Sequence, residues 1–209
     1  MYLPKAFEVT DIARLHDFMD EFNFATVVTG RAGELTASHI PFLLDRTAGA
    51  HGTLRAHIAI RNPQIEHFRA GSEALVIFQG PHTYVSPNWY VNAQNVPTWN
   101  YSVVHAHGTP RIGGLPAMVA LLRDLVDKHE KPFEKPWQFD PEDPWIKKML
   151  NEIVAFEMPI EKLEGKFKLN QNRAPADRAG VIAALSISED SAQRAVAGLM
   201  DQHPPADLS

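Results

Sequence analysis

Residues 53–63 read Thr-Leu-Arg-Ala-His-Ile-Ala-Ile-Arg-Asn-Pro, and this stretch decides between the fold classes open to the chain. Every even-numbered residue from Leu54 to Ile60 is apolar, and these residues alternate with Arg55, His57, Ala59 and Arg61. That two-residue period is typical of a strand with one buried face. Asn62-Pro63 then predicts a helix start, with Asn62 as N-cap and Pro63 as the first helical residue. The stretch therefore predicts a β-strand that leads directly into a short helix.

The chain before this stretch predicts one helix and one hairpin. A helix from about Asp11 to Phe22 carries an apolar stripe at helical spacing. The β-branched run 24–29 is followed by a turn at 30–33 and by a second strand at 35–44. In that second strand Ser38 and His39 point to opposite faces of the sheet.

The chain after it predicts three more strands, at about 74–79, 98–111 and 153–160. The strand at 98–111 alternates between an aromatic and histidine face, which includes Trp99, and a face of smaller residues that includes Asn100. Five or six antiparallel strands with helices set apart favour a barrel with peripheral helices over a doubly wound sheet.

The remaining segments are predicted to be helical or irregular. Helices are predicted at about 115–129, 144–150, 177–185 and 189–200. Residues 131–144 contain four prolines and no regular period, so they predict a functional flap or a packed loop. The polar end from His203 is predicted to fray. No composition shift divides the chain, so we expect a single domain over residues 1–209, with C-terminal helices at about 175–201.

The composition excludes several classes of protein. The 209 residues include no cysteine, which excludes disulfides, thiolate metal sites and a cysteine nucleophile. Net charge is −5, from 20 basic and 25 acidic residues, and no basic stripe of the kind that DNA-binding proteins carry is present. The start of the chain lacks the apolar core of a signal peptide, and no apolar run reaches membrane-spanning length. These features predict a cytoplasmic protein that no membrane anchors.

Two stretches could bind a phosphorylated aromatic ligand. Arg61 next to a capped helix start could bind a phosphate, or could be an ordinary surface arginine. Aromatic side chains interleaved with amides and hydroxyls at 84–90 and 96–101 could stack on a flat ligand. The same aromatics could equally fill the end of a barrel or a dimer interface.

Three further patterns each have an ordinary explanation. His105 and His107 share a strand face and could bind a metal, but satisfied core or interface histidines are the more common case. Residues 164–173, which include Lys168, form either an anion-facing or a solvated loop. A helix-turn-helix at 181–200 would place Glu189-Asp190 against DNA phosphates, so two packed helices are the better interpretation.

Seven segments in order make the chain resemble a known family. They are Met1-Tyr2-x-Pro4, Ala37-Ser38-His39-Ile40-Pro41-Phe42, Asn62-Pro63, Tyr84-Val85-Ser86-Pro87-x-Trp89-Tyr90, Val96-Pro97-Thr98-Trp99-Asn100-Tyr101, Val104-His105-Ala106-His107-Gly108 and Gly165-Lys166-x-Lys168-Leu169-x-Gln171-Asn172-Arg173. From Met1 to about Leu185 the chain resembles the PaiB family, described as FMN-binding negative transcriptional regulators.

The resemblance implies a mainly β (α+β) fold, a six-stranded antiparallel split β-barrel with peripheral helices, related to pyridoxamine-phosphate oxidase and flavin reductases. It implies a homodimer with FMN in the groove between subunits and the flavin ring near Ser38 and His39. The cofactor phosphate would lie beside His57, Ala59, Arg61 and Asn62. The partner subunit would contribute residues such as Trp99 and Asn100, and Lys168 joins the cofactor-binding candidates. No metal ligand and no catalytic residue is assigned.

One segment departs from the family pattern, and the function stays open between three classes. A lysine and further residues usually stand between the WY and VPTWNY motifs, whereas this chain has only residues 91–95 there. The resemblance implies a transcriptional regulator, for which the charge indicates an indirect or ligand-dependent mode and gives no support to DNA contact. The alternatives are an FMN-dependent oxidoreductase, with His39 or His57 assisting proton transfer, and a haem-binding split barrel with a histidine ligand.

Overall fold

A computed structural model describes residues 1–92 and 94–204 of the chain. The strands are β1 (Glu8–Val9), β2 (Phe24–Arg31), β3 (Glu34–Pro41), β4 (Leu43–Asp45), β5 (Thr53–Ala59), β6 (Ala74–Val85), β7 (Thr98–Gly108), β8 (Arg111–Ile112), β9 (Ile153–Pro159) and β10 (Lys162–Lys168). The helices are α1 (Ile12–Glu21), α2 (Gln64–Arg69), α3 (Leu115–Glu130), α4 (Pro144–Leu150), α5 (Pro175–Ser186) and α6 (Ser191–Gln202). None of these helices is both long and apolar enough to cross a membrane.

The chain forms two compact units, each built from separate stretches of sequence. The terminal unit contains Met1–Phe18, Gln79–Val104 and the residues from Glu164 onwards. The central unit contains Met19–Phe78 and His105–Leu163. The expectation of a single domain over residues 1–209 stays a prediction.

The central unit is built on antiparallel strand pairs. Strand β2 pairs with β3 and with β6, and a second sheet has the order β4-β5-β9-β8. The β2–β3 hairpin closes between Arg31 and Glu34, which face each other in the register. Its two turn residues, Ala32 and Gly33, have φ angles of 52° and 85°. Two successive positive φ angles give the turn the twist that adjacent strands need.

Alternation along β5 decides which residues of the central unit are buried. Leu54, Ala56 and Ile58 are 0–3% exposed, whereas Arg55 and His57 are only half-buried. The buried side of the unit contains an aromatic group in which the rings of Phe42 and Phe156 lie 6.1 Å apart. A second apolar cluster lies beneath the helices and consists of Leu43, Met118, Leu121, Leu125, Ile146, Leu150 and Ala155.

The terminal unit has its strands in the order β1, β10, β7, β6, and carries helices α5 and α6. Gly165 in β10 faces Val9 in β1, and a side chain at Gly165 would overlap Leu15. Phe167, which is 1% exposed, packs on Phe18 with ring centroids 5.0 Å apart. The core of this unit therefore involves one face of β10, and the lysines on either side of Phe167 occupy the other face.

The structure confirms a mainly β fold with peripheral helices but corrects the strand boundaries. The strand predicted at 35–44 is interrupted at Phe42, whose N–H donates instead to the Asn23 carbonyl at 2.9 Å. The strand predicted at 74–79 continues to Val85, and the one predicted at 98–111 ends at Gly108. Ten strands are present among the described residues where five or six were expected from sequence, because β1, β4, β8 and β10 are short or charge-rich.

Two irregular segments were predicted correctly in part. Residues 131–143 contain neither helix nor strand, and Phe139 within them packs against the second apolar cluster. Whether they act as a flap stays a prediction. The predicted fraying from His203 onwards is wrong for His203 itself, which is buried and packs on Phe167, and residues 205–209 lie outside the described residues. Helices α5 and α6 occupy the region predicted for the C-terminal helices.

Candidate functional site

Three of the candidate residues in the central unit are joined by hydrogen bonds. The Asn62 side-chain amide donates to the Ser38 hydroxyl at 2.8 Å, which ties the residue after β5 to the middle of β3. The Asn62 backbone N–H donates to the Ala59 carbonyl at 2.9 Å. Ser38, Ala59 and Asn62 are therefore joined in a network made by the protein itself, and their contact with a cofactor stays a prediction.

The start of α2 does not offer the free N–H groups that the sequence predicted for a phosphate. The Gln64 N–H donates to the Asn62 side-chain oxygen at 2.9 Å. The Ile65 and Glu66 N–H groups donate to the carbonyls of Asn62 and Pro63, both at 3.1 Å. Proline has no N–H, so every donor at this helix start already has an acceptor. A phosphate at this end of β5 would have to be bound by side chains such as Arg61, which is exposed.

The two histidine candidates of the central unit differ in their surroundings. His39 is exposed on β3 opposite Thr26. His57 is half-buried on β5 opposite Ala155 of β9, and its Nδ1 has no hydrogen-bond partner among the described residues. Burial lowers the pKa of His57 below the ordinary value because the charged imidazolium loses solvation. A neutral imidazole with an unpaired nitrogen can bind a metal or accept a proton.

Trp99 and Asn100 lie on opposite faces of β7 in the terminal unit, as the predicted alternation requires. Trp99 is 54% exposed, whereas Asn100 is fully buried. The Asn100 amide contacts the Met200 sulfur at 3.4 Å, and its side-chain oxygen has no partner among the described residues. Only Trp99 of this pair offers a surface to another molecule. A contact of Asn100 with cofactor stays a prediction.

Lys168 lies beside Trp99 at the end of β10. Its ammonium donates to the Thr98 hydroxyl and to the Trp99 carbonyl, both at 2.5 Å. Burial lowers the pKa of Lys168, and the charges of Arg173 and Lys166 lower it further. The structure therefore joins two of the predicted residues, Trp99 and Lys168, through a main-chain contact.

An open depression lies next to Trp99 in the terminal unit. It has a volume of about 340 Å³ and is lined by Gln79, His82, Trp99, Tyr101, Ser102 and Val103. The His82 ring lies 6.3 Å from the Trp99 ring with an angle of 36° between their planes. The Ser102 hydroxyl has no partner among the described residues. Ser102 is fully buried on the opposite face of β7 from Trp99, so the exposed Trp99 ring beside His82 is what suits stacking on a planar heteroaromatic molecule.

Sequence reasoning missed His82 and Ser102 as candidates, and it left Lys166 within the stretch 164–173, which it interpreted as an anion-facing or solvated loop and which the structure shows to begin with strand β10. Ser102 stands on the small-residue face of β7, where nothing in the sequence distinguishes it from a packing residue. Lys166 is two residues before Lys168, so recognising β10 as a strand would have placed both lysines on one face. The signal was the alternation from Glu164 to Lys168, which the high charge of that segment conceals.

The segment at 91–95, which is shorter than the family pattern, is attached to α5. The Asp177 carboxylate accepts the N–H groups of Val91 and Asn92 at 2.8 and 2.9 Å. Asn95 accepts from the Arg173 guanidinium at 2.6 Å. Ala93, in the middle of this segment, lies outside the described residues. The residues around it are held by the terminal unit's own polar side chains.

The fold is that of a split barrel, and comparison with solved structures supports that class. A FAD- and haem-binding protein from Mycobacterium smegmatis aligns with a TM-score of 0.58 over 77% of this chain and 73% of its own, at 20% identity. The flavocytochrome Anf3 from Azotobacter vinelandii aligns with a TM-score of 0.56 over 77% of this chain and 69% of its own, at 13% identity. At such identities the likeness establishes the fold alone, and it confirms the split-barrel prediction.

Sequence comparison then gives the family. The family model described as "Putative FMN-binding domain" matches residues 1–162. The chain is 36% identical over 202 residues to the protease synthase and sporulation protein PAI 2, or PaiB, of Bacillus subtilis, covering 96% of this chain and 97% of that protein. The chain belongs to this FMN-binding family, and the resemblance to PaiB is confirmed.

Proposed function

We propose that this protein binds FMN as a cytoplasmic homodimer and acts as a PaiB-type negative regulator of gene expression through its bound ligand. The observation that carries the proposal is the open depression beside the exposed Trp99 ring. A flavin is a planar heteroaromatic ring with several acceptor atoms, so it needs a stacking surface and a few hydrogen-bond donors. Membership of an FMN-binding family supports the same cofactor.

Side chains, and not a helix start, are the groups proposed to bind the cofactor's phosphate. The donors at the start of α2 are occupied, whereas the exposed Arg61 and the Lys168 ammonium are cationic groups that can contact an anion. Arg61 would contact the phosphate from the surface of the central unit. Ser38, His39 and His57 of the same unit are the residues that the family resemblance assigns to the cofactor. FMN is preferred over FAD because the family description names FMN.

The dimer is proposed because Trp99 is exposed on an apolar surface. Trp99, Tyr84 and Val96 are 54%, 42% and 65% exposed on the terminal unit. A second copy that covers these side chains would remove apolar area from water and would sandwich a flavin ring between subunits. In this arrangement Trp99 acts on the cofactor held mainly by the other subunit.

Regulation is proposed to act through a ligand and not through direct contact with DNA. The chain has a net charge of −5, and phosphate contacts dominate non-specific DNA affinity. The name of the Bacillus subtilis relative refers to protease synthesis and sporulation. A flavoprotein that senses redox state or a small molecule can influence such processes through a partner protein.

The test is a flavin titration of the purified protein, followed by absorbance and by quenching of flavin fluorescence. We expect FMN to bind and to be quenched, and Trp99→Ala to weaken binding about tenfold through the loss of stacking. Trp145→Ala is the matched control, because Trp145 is 63% exposed on α4 in the central unit. Sedimentation of the same samples gives the oligomeric state, and Arg61→Ala tests the phosphate contact. A protein that ignores FMN, riboflavin and FAD alike overturns the proposal.

Haem binding is the second candidate, and the neutral, unpaired His57 favours it. A haem ligand must be a neutral imidazole, which the lowered pKa of His57 provides. A Soret band that disappears in His57→Ala and persists in His39→Ala would support this alternative. If instead the yellow protein bleaches on addition of NADH or NADPH, the FMN-dependent oxidoreductase is the better description.

A further inference from the structure

Three cations lie close together on the terminal unit. Lys166 and Lys168 occupy the same face of β10, and Arg173 follows after the strand ends. Lys166 is only 9% exposed, and Lys168 and Arg173 are half-buried. We call Lys166, Lys168 and Arg173 the cationic cluster.

The cluster is held by aromatic rings and by neutral oxygens. The Lys166 ammonium lies 5.4 and 5.5 Å from the ring centroids of Tyr2 and Tyr101, and it donates to the Tyr2 carbonyl at 3.0 Å. The Arg173 guanidinium lies 5.3 Å from the Tyr90 ring. Lys168 lies 6.0 Å from the Phe7 ring, in addition to its contacts with Thr98 and Trp99. These contacts fix the positions of the three cations without cancelling their charge.

Two acidic groups of the same unit bind other partners, and a third, the exposed Glu8 of β1, faces Lys166 in the strand register without forming an ion pair with it. The Glu164 carboxylate accepts from the Met1 amino group at 2.9 and 3.0 Å, so it pairs with a further cation. Asp177 accepts the backbone N–H groups of Val91 and Asn92. Within the described residues no carboxylate lies within ion-pair distance of the three cations. The cluster therefore carries an uncompensated positive charge in partly desolvated surroundings.

Such an arrangement is unfavourable for the protein alone. Burial lowers the pKa of Lys168, and the neighbouring charges of Arg173 and Lys166 lower it further, because both effects disfavour the charged ammonium. Charged groups removed from water are usually paired. An oxyanion that accepts charge-assisted hydrogen bonds from Lys168 and Arg173 would supply the missing partner.

We propose that the cationic cluster is a binding site for a phosphate monoester. A tetrahedral dianion has enough acceptor oxygens for two ammonium groups and a guanidinium fork. The aromatic rings around the cluster would shield the bound anion from water and strengthen each hydrogen bond. The phosphate belongs either to FMN itself or to a separate small molecule. Only the first of these assignments rests on the proposed function.

The test uses inorganic phosphate as the probe, on the full chain without added flavin. Phosphate binding is measured by calorimetry at constant ionic strength, with chloride as the reference anion. We expect the wild type to bind phosphate, and Lys168→Met and Arg173→Gln each to weaken binding about tenfold or more. Arg194→Gln is the matched control, because Arg194 is an exposed arginine of the same unit that contacts only the Ser188 carbonyl among the described residues. Lys168→Arg is expected to keep most of the affinity.

Flavin titrations then distinguish the two sources of the phosphate. If the cluster holds the phosphate of FMN, inorganic phosphate competes with FMN, and Lys168→Met reduces the preference for FMN over riboflavin about tenfold. If the phosphate belongs to a separate molecule, FMN and inorganic phosphate bind together and that preference is unchanged. Either result is consistent with a phosphate-binding site at the cationic cluster.

The proposal is overturned if phosphate binds the wild type no better than chloride. It is equally overturned if both Lys168→Met and Arg173→Gln bind phosphate as the wild type does. Circular dichroism identifies any variant that fails to fold. If Lys168→Met does not fold, the phosphate affinity of Arg173→Gln alone decides the test. Phosphate binding without any flavin binding leaves this site intact while removing the proposed cofactor, so the two proposals fail separately.

Discussion

The two units differ in how their candidate ligand-binding residues are bonded, although each unit contains buried polar atoms without a partner among the described residues. In the central unit, Asn62 donates to Ser38 at 2.8 Å. The fully buried Gln64 amide donates to the Val27 carbonyl, the Thr29 hydroxyl and the Thr36 carbonyl at 3.1–3.2 Å, while its side-chain oxygen has no partner among the described residues. In the terminal unit, the hydroxyl of Ser102 and the side-chain oxygen of Asn100 have no partner among the described residues, and the cationic cluster has no carboxylate.

The difference indicates where a ligand is needed. A polar group that the protein itself satisfies stabilises the fold and gains nothing from a ligand. A buried polar group without a partner costs free energy that a ligand can recover. The predicted residues Ser38, Ala59 and Asn62 are bonded to one another, whereas Lys168 donates to two neutral oxygens and has no anionic partner among the described residues. Substitutions in the two units are therefore expected to differ in their effect on stability and in its dependence on ligand.

The largest effect is expected from Gln64→Leu in the central unit. The substitution keeps a similar volume but removes the donor from three acceptors at a fully buried position, so we expect a loss of about 3 kcal/mol in the free energy of unfolding. Urea denaturation measures it, with Gln138→Leu as the control. Gln138 is exposed and makes a single 3.3 Å contact with the Pro136 carbonyl, so its change should stay within about 0.5 kcal/mol. Equal losses in both variants would contradict the comparison.

Asp177→Ala tests the best-satisfied carboxylate of the terminal unit. Asp177 is 5% exposed, so the N–H groups of Val91 and Asn92 would lose a charged acceptor. We expect a loss of about 2 kcal/mol and faster proteolysis within residues 91–95. Asp177→Asn keeps one acceptor oxygen and should lose less. Asp140→Ala removes an exposed carboxylate that accepts only the Glu142 N–H among the described residues, and it should change stability little.

His203 makes the stability of the terminal unit depend on pH. Its side chain packs on the Phe167 ring at 4.8 Å, and burial, with the charges of Arg14 and Arg178, lowers its pKa to about 4. Between this value and the unfolded value of 6.5, the unfolded chain binds a proton that the folded chain does not. The contribution of the neutral His203 to the free energy of unfolding is therefore complete above pH 6.5 and is lost as the pH falls towards 4.

The expected loss from pH 7 to pH 4.5 is about 1 kcal/mol, after allowance for solvent screening. His203→Gln should remove that part of the pH dependence in urea denaturation measured at both pH values. His129→Gln, at an exposed histidine of α3, should leave the dependence as it is in the wild type. A wild-type profile identical to that of His203→Gln would refute the assignment.

The strands with clear alternation could be predicted from sequence, and the charge-rich ones could not. Residues 53–59 gave both the strand and its buried face, because every second side chain from Leu54 to Ile58 is apolar. Strand β10 carries Lys162, Glu164, Lys166 and Lys168, and its core contact rests mainly on Phe167. The residues between these charged ones are Leu163, Gly165 and Phe167, so only two large apolar side chains carry the two-residue period, and the pairing of β10 with β1 depends on tertiary contacts that the sequence alone does not show.

The arrangement of the candidate residues follows from the sequence only in part. Through the family resemblance, the sequence named Ser38, Ala59 and Asn62 as cofactor-binding candidates, and the structure joins them by hydrogen bonds to one another. The sequence could not show that Asn62 satisfies the helix start, since Asn62 could have pointed to solvent. Nor could it show that Lys166 and Arg173 lie beside Lys168, because that proximity depends on the path of the chain after β10.

The smallest effect, and the one of opposite sign, is expected from Lys168→Met in phosphate-free buffer. Because burial and two neighbouring cations lower the pKa of Lys168, the ammonium opposes folding at neutral pH, and this penalty fades only as the pH rises towards the lysine's ordinary range. Methionine removes the charge and keeps the apolar stem, while the Trp99 carbonyl can bind water instead. We expect a gain of about 0.5 kcal/mol in the free energy of unfolding, after allowance for solvent screening.

Added phosphate should stabilise the wild type more than Lys168→Met and thereby reverse the order of stability of the two proteins. Urea denaturation with and without phosphate measures both effects, and a large loss of stability in phosphate-free buffer would show that Lys168 serves the fold, as Gln64 does.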